Sequence, residues 1–129
     1  LVVDPFDSRV IFAGLATKGI RRSTDSGNTW VDIGPNPKEY RYVNSYIKLL
    51  SNPNKTGNIY HLSRYGILIS QDRGDTWEVL NLITPPNQVS IVDLAVNYDN
   101  PAEIVYITGT LLYKTFNGGQ DSPPFTICW

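Results

Sequence analysis

The chain has 129 residues, 41% of them hydrophobic and 18% charged, with Lys+Arg 11 against Asp+Glu 12. That is the length of one ordinary domain, with enough apolar content to bury a core and too little net charge to attract a polyanion, so disordered chains and general nucleic-acid binders are excluded. No apolar run approaches the roughly 18 to 20 residues of a membrane helix, so membrane insertion is not expected.

The opening residues LVVDPFDSRV carry no signal-peptide pattern, and the chain holds no methionine. It reads as an excerpt of something longer. In chain order, the first unit runs from Asp4-Pro5 through the apolar stretch Val10 to Gly14 and Gly19-Ile20 to an eight-residue box, STDSGNTW, at positions 23 to 30. The second runs from Asn52-Pro53 through Asn58-Ile59-Tyr60 and Gly66-Ile67 to SQDRGDTW at positions 70 to 77. Five positions agree between the boxes: Ser23, Asp25, Gly27, Thr29 and Trp30 against Ser70, Asp72, Gly74, Thr76 and Trp77. A third, weaker copy begins at Thr115, keeps Gly119, has Asn117 in place of the Asp and loses the Thr-Trp pair; Asn100-Pro101, Ile104 to Tyr106 and Leu111-Leu112 precede it. The copies begin 47 and 45 residues apart, so the period belongs to whole units.

Within a unit, β-branched and aromatic residues cluster in short runs bounded by Gly, Pro, Asn and Asp, and helical periodicity is absent. The second unit is expected to form strands over Tyr42 to Leu49, Ile59 to Ser63, Ile67 to Ser70 and Trp77 to Leu80. The third is expected to form them over Val89 to Val96, Ile104 to Thr108 and Leu111 to Thr115, with a less clear fourth near Phe125 to Cys128. Four antiparallel strands in about 45 residues make one propeller blade. The fold class is therefore all-β: a partial β-propeller of about two and a half four-stranded blades, in units of approximately 1–34, 40–83 and 87–129, the first and last incomplete. Propellers close with roughly 4 to 8 blades, so the chain is expected to belong to a larger propeller or to self-associate through open blade edges. The tail from Asp121, with its Pro pair and Cys128, departs from the repeat, as a disrupted reading frame would make it.

Each box lies between the third and fourth strands of its unit and has a local physical logic. The Asp carboxylate accepts backbone N–H groups ahead of it, the Gly supplies a positive φ, and the Thr re-enters the strand. The Trp should pack on the sheet, which makes Trp30 and Trp77 expected core pegs.

On these boxes, and on the stretch from Gly19 to Trp30 in particular, the chain resembles the Asp-box, or BNR, repeat proteins. That group includes sialidases, sortilin-type receptors, xyloglucan-active hydrolases and photosystem assembly factors. The resemblance implies a β-propeller with the boxes on the outer rim, so the box aspartates are structural and not catalytic. It also implies an extracytoplasmic or secreted setting.

Catalytic chemistry has little support in the residues. Arg21 and Arg22 follow Gly19-Ile20 without the sialidase arginine-Ile-Pro motif, and read as exposed strand arginines. Asp25 and Asp72 are not a catalytic pair, since each is consumed by its own turn, whereas glycoside hydrolysis needs two free carboxylates. Asp93, which alternates with apolar neighbours on the strand Ile91 to Val96, reads either as an exposed strand carboxylate or as one that faces the central channel. His61 is the only histidine and Cys128 the only cysteine, so no metal site, no Cys-His couple and no cofactor is expected. Tyr40 and Arg41, beside Tyr42 and Tyr46, are the candidate ligand contacts together with Asp93. The expected function is a non-catalytic binding or scaffold segment for a protein or glycan; the alternative is a fragment of a secreted glycoside hydrolase, sialidase-like or xyloglucanase-like.

Overall fold

The computed structural model describes residues 1–80, 90–109 and 111–115, and the backbone of 125–128. Twelve strands form three antiparallel four-stranded sheets, each built from strands consecutive in the chain. The first contains β1 (Val2–Val3), β2 (Ile11–Leu15), β3 (Gly19–Ser23) and β4 (Val31–Asp32). The second contains β5 (Tyr46–Ser51), β6 (Ile59–Ser63), β7 (Ile67–Ser70) and β8 (Glu78–Val79). The third contains β9 (Asp93–Val96), β10 (Ile104–Ile107), β11 (Leu111–Thr115) and β12 (Phe125–Cys128). This is an all-β partial propeller.

Alternation along β5 and β6 explains how three small sheets make a common interior. Leu49 and Ile59 point to one face of the middle sheet and join Val10, Phe12 and Ile20 of the first sheet, with Val2, Ile33, Tyr46 and Trp77 packed around them. Leu62 and Ile67 point to the other face and join Leu94, Ile104 and Tyr106 of the third sheet and Ile91, which precedes it. With both faces covered, every residue of β6 is buried. Each of these large side chains contributes about 1.5 to 3 kcal/mol by leaving water.

Several expectations change, among them the strand from Val89, since residues 90–92 are not strand and β9 starts at Asp93. Tyr42 to Ser45 is not strand: Tyr42 has φ 69 and Ser45 N–H donates to the Tyr42 carbonyl, so the chain turns there and β5 starts at Tyr46. Trp30 is no core peg: it is 39% exposed, its indole N–H turned back to the Gly27 carbonyl at 3.0 Å. Trp77 is partly buried, because its indole N–H reaches the Ile33 carbonyl of the preceding unit at 3.0 Å and its ring packs with that unit's core. Among the described residues nothing stands over Trp30 as Ile33 stands over Trp77. Arg22 is not an exposed strand arginine either, since its guanidinium donates to the Arg73 carbonyl and to Asp75, both at 2.9 Å.

The unit phasing also shifts in one place. Asp4 N–H bonds the Val10 carbonyl and Asn52 N–H the Asn58 carbonyl, while the side chains accept Phe6 N–H and Asn54 N–H at 2.8 Å. In the third unit the same pattern starts at Asn97, whose N–H bonds the Glu103 carbonyl and whose side chain accepts Asp99 N–H at 3.1 Å. Asn97, not Asn100, is therefore the counterpart of Asp4 and Asn52.

Candidate functional site

The two complete boxes are superimposable hydrogen-bonded turns with serine at the hub. Ser23 Oγ accepts Gly27 N–H at 2.8 Å and Asp25 N–H at 3.3 Å and donates to Asp25 Oδ1 at 2.8 Å. Ser70 Oγ does the same with Gly74 and Asp72 at 2.8, 3.3 and 2.7 Å. Each Asp carboxylate then accepts the N–H and the hydroxyl of the threonine four residues on, Thr29 or Thr76. The residue before each glycine, Ser26 or Arg73, joins it at positive φ, so the turn is left-handed at two successive positions. Donation from the Thr29 hydroxyl first, then its N–H, lowers the Asp25 pKa to about 2; the Thr76 hydroxyl lowers that of Asp72. A carboxylate so saturated and so acidic is fixed as an anion and is a poor proton donor. Thr115 is buried at the end of β11, and Asn117 and Gly119 lie outside the described residues.

Strand direction divides the loops into two ends. The boxes and the β5–β6 loop lie at one end of the middle sheet. The turn of residues 64–66 and the connection from β4 into β5 lie at the other, because Ser63 pairs with Tyr46 and Arg64 N–H bonds the Ser45 carbonyl. This second end gathers the side chains that the turns do not consume. Tyr40 packs edge-on to Tyr65 with ring centres 5.3 Å apart, and the Arg41 and Arg64 guanidiniums lie over the Tyr42 ring at 4.7 and 4.1 Å. Beside Arg64 opens a groove of about 380 Å³, walled by Ala16 and Thr17 of the β2–β3 turn, by Tyr46 and Ile47 of β5, and by Ser45 and Ser90.

Of the three candidate contacts, Tyr40 and Arg41 share this loop cluster. Asp93 lies on β9 in a different pocket of about 210 Å³, with Lys48, Tyr106 and Ile107. Its carboxylate takes Lys48 Nζ at 2.7 Å and Leu94 N–H at 2.8 Å, and the Lys48 contact chiefly holds its pKa below the ordinary value. Asp93 is the one carboxylate lining that pocket among the described residues, so the pair that glycoside hydrolysis requires is not assembled there. Among the described residues no three His, Cys, Asp or Glu side chains converge to hold a metal, and no helix is long and apolar enough to cross a membrane.

Sequence reasoning missed Arg64, Tyr65 and Thr17. Arg64 and Tyr65 occupy the β6–β7 turn, where the signal was only a Gly66 that closes the hairpin; their meeting with Tyr42 and Tyr40 depends on the turn at Tyr42.

No protein-family model matches the chain, and no curated protein matches it. Solved structures resemble it in fold. An ancestral GH74 enzyme aligns with a TM-score of 0.75 at 20% identity over 98% of this chain and 18% of its own. The GH74 enzyme of Niastella koreensis gives 0.65 at 18%, over 98% of this chain and 21% of its own. YCF48 from Cyanidioschyzon merolae gives 0.59 at 16%, over 95% and 35%. All are β-propeller proteins, and the chain spans between about a fifth and a third of their lengths.

Proposed function

We propose that the chain is a non-catalytic binding or scaffold segment of an Asp-box β-propeller, in units 1–34, 40–83 and 87–129, that presents its loop face opposite the boxes to a protein or glycan. The observation that carries this reading is the cluster of Tyr40, Arg41, Tyr42, Arg64 and Tyr65 beside an open groove, its two guanidiniums in no salt bridge among the described residues. Aromatic and arginine side chains on rigid loops are the groups that dominate binding energy at protein surfaces. Pull-down from extracts and a glycan array, each run with wild type and with Arg41→Ala, test it. A ligand lost in the variant is expected; none on either platform refutes it.

The likeness in fold to GH74 enzymes favours a second reading, a segment of a secreted glycoside hydrolase whose catalytic carboxylates lie in other blades. On that reading the intact protein turns over xyloglucan or another glycan, and substitution of Asp93 leaves the rate unchanged.

A further inference from the structure

We propose that the outer face of the first sheet is the docking surface for a second copy of this chain, which seats the outer face of its third sheet there, and that two copies close head to tail into one six-sheet ring. Alternation sets both faces. Phe12 and Ile20 point from the first sheet toward the middle one, so Ile11, Ala13 and Leu15 point away from it. Ile104 and Tyr106 point from the third sheet toward the middle one, so Val105 and Ile107 point away, with Leu112 opposite Ile107. Each outer face is grooved. Ala13, Leu15, Arg21 and Trp30 wall about 240 Å³ on the first sheet, and Asp93, Ala95, Val105 and Ile107 wall about 210 Å³ on the third.

The seam between the first and middle sheets shows what such a face receives. There the Trp77 indole donates to the Ile33 carbonyl, and the Ile33 δ-methyl rests on Gly74, closer than a Cβ at that glycine would allow. The first box repeats this glycine and tryptophan as Gly27 and Trp30, with φ 93 at Gly27 against 92 at Gly74. Around the place of a Cβ at Gly27, however, the nearest atoms are the Trp30 ring at 3.7 Å and Ile11 at 3.9 Å, both of the same sheet. A residue of the Ile33 kind fits there.

The third sheet carries one in register. Ile33 N–H bonds the Ile20 carbonyl and Leu80 N–H the Ile67 carbonyl, each three residues before its box serine. Three residues before Thr115 stands Leu112, and the residue paired with it on β12 is Ile127. Counted from Asn97, the counterpart of Asp4, Val105 likewise holds the place of Phe12. The polar positions agree as well. In the first seam the Arg73 guanidinium answers the buried Asp4 carboxylate at 2.7 Å. Ser26 stands in the place of Arg73 on the first sheet and Asn97 in the place of Asp4 on the third, so a neutral group meets a neutral group and no charge is buried unpaired.

The count of sheets selects two copies. Each brings three, and six falls within the roughly 4 to 8 blades over which propellers close, whereas three and nine do not. A head-to-tail joint that closes after two copies leaves neither face over. Both loop ends of every sheet stay open in such a ring, so the reading of the loop cluster stands or falls by its own assay.

Sedimentation equilibrium of the full chain from micromolar to submillimolar concentration tests the proposal. A reversible dimer and nothing larger is expected. Ala13→Glu on one face and Ile107→Lys on the other should each raise the dissociation constant at least ~30-fold, because each places a charge in both joints. Mixed in equal amounts, the two variants should pair more tightly than either does alone, since one joint is then wild type on both sides; misfolded chains would show no such recovery. Trp30→Ala should weaken pairing at least ~10-fold, while at submicromolar concentration, where the copies are apart, its denaturation midpoint stays near that of wild type. A chain that remains monomeric overturns the proposal and assigns both faces to other units of the repeat. A dimer broken by Ala13→Glu and untouched by Ile107→Lys overturns the head-to-tail joint, because the first sheet then meets its own copy. Growth beyond the dimer overturns the closed ring.

Discussion

His61 makes the stability of this fold sensitive to mild acid. Its side chain is fully buried on the face of β6 toward the first sheet, stacked on Tyr46 at 6.2 Å and edge-on to Trp77 at 5.8 Å, and neither ring nitrogen has a hydrogen-bond partner. Burial in this uncharged aromatic setting lowers its pKa from 6.5 to about 4. Since the folded value lies below the unfolded one, the unfolded chain binds more protons between them. Stability is therefore complete above 6.5 and drains as pH falls toward 4. The loss between pH 7 and pH 5 comes to about 2 kcal/mol, and to about 3 kcal/mol once pH 4 is passed. The box carboxylates act in a lower window: both pKa values are depressed below 3.8, so Asp25 and Asp72 support the fold above that value and lose that role only in stronger acid, for Asp25 as pH falls toward 2. Urea unfolding followed by tryptophan fluorescence at pH 7, 6 and 5, on wild type and His61→Leu, separates the terms. Wild type should weaken across this range while the leucine variant stays level, and at pH 7 the variant should be at least as stable, because two unpaired buried nitrogens are gone. A wild-type midpoint that does not move, or a leucine variant that declines in parallel, refutes the reasoning.

Trp77→Ala should cost about 2 to 4 kcal/mol and Trp30→Ala less than about 1 kcal/mol, a gap readable from denaturation midpoints, because only the first ring is packed under a neighbouring unit. Ser70→Ala, which strips the acceptor from the buried Gly74 N–H and a donor from Asp72, should cost about 2 kcal/mol by the same measurement. Arg73→Met should cost about 1 to 3 kcal/mol: it deserts the Asp4 carboxylate, 3% exposed and 2.7 Å away, but Arg73 itself is 35% exposed, which moderates the loss. Double substitution with Asp4→Asn should recover part of that loss.

What could be read from the residues was whatever is encoded locally. β6 and β7 have the ends that alternation and turn residues indicate, because Gly66 and the second box stop the strands within a few positions. The box turns were legible in outline, since Ser, Asp, Gly and Thr each act on a neighbour no more than four residues away. The serine hub and the left-handed residue before each glycine were not, because a hydroxyl bridging three groups is a matter of shape. Tyr42 shows the limit most clearly: its apolar ring and the tyrosines around it have the composition of a strand, yet the backbone turns at that point, and only the turn lets Arg64 reach its ring. Trp30 and Trp77 close boxes that share five of eight residues and yet differ in burial, a difference set by a residue 44 positions from Trp77. Such pairings depend on how sheets stack, and no window of neighbouring residues records that.

The ties between the first two sheets are unlike those between the second and third. Arg73 holds Asp4, Arg22 holds the Arg73 carbonyl, and the Trp77 indole holds Ile33, all crossing one seam and all partly or wholly sheltered. Among the described residues, the next seam is crossed by Lys48 with Asp93 and by Asn54 with the Tyr98 carbonyl and Asp99, each exposed to solvent. Salt should therefore weaken these polar ties of the second seam more than those of the first, while the cluster of Leu62, Ile67, Leu94, Ile104 and Tyr106 keeps the middle and third sheets together.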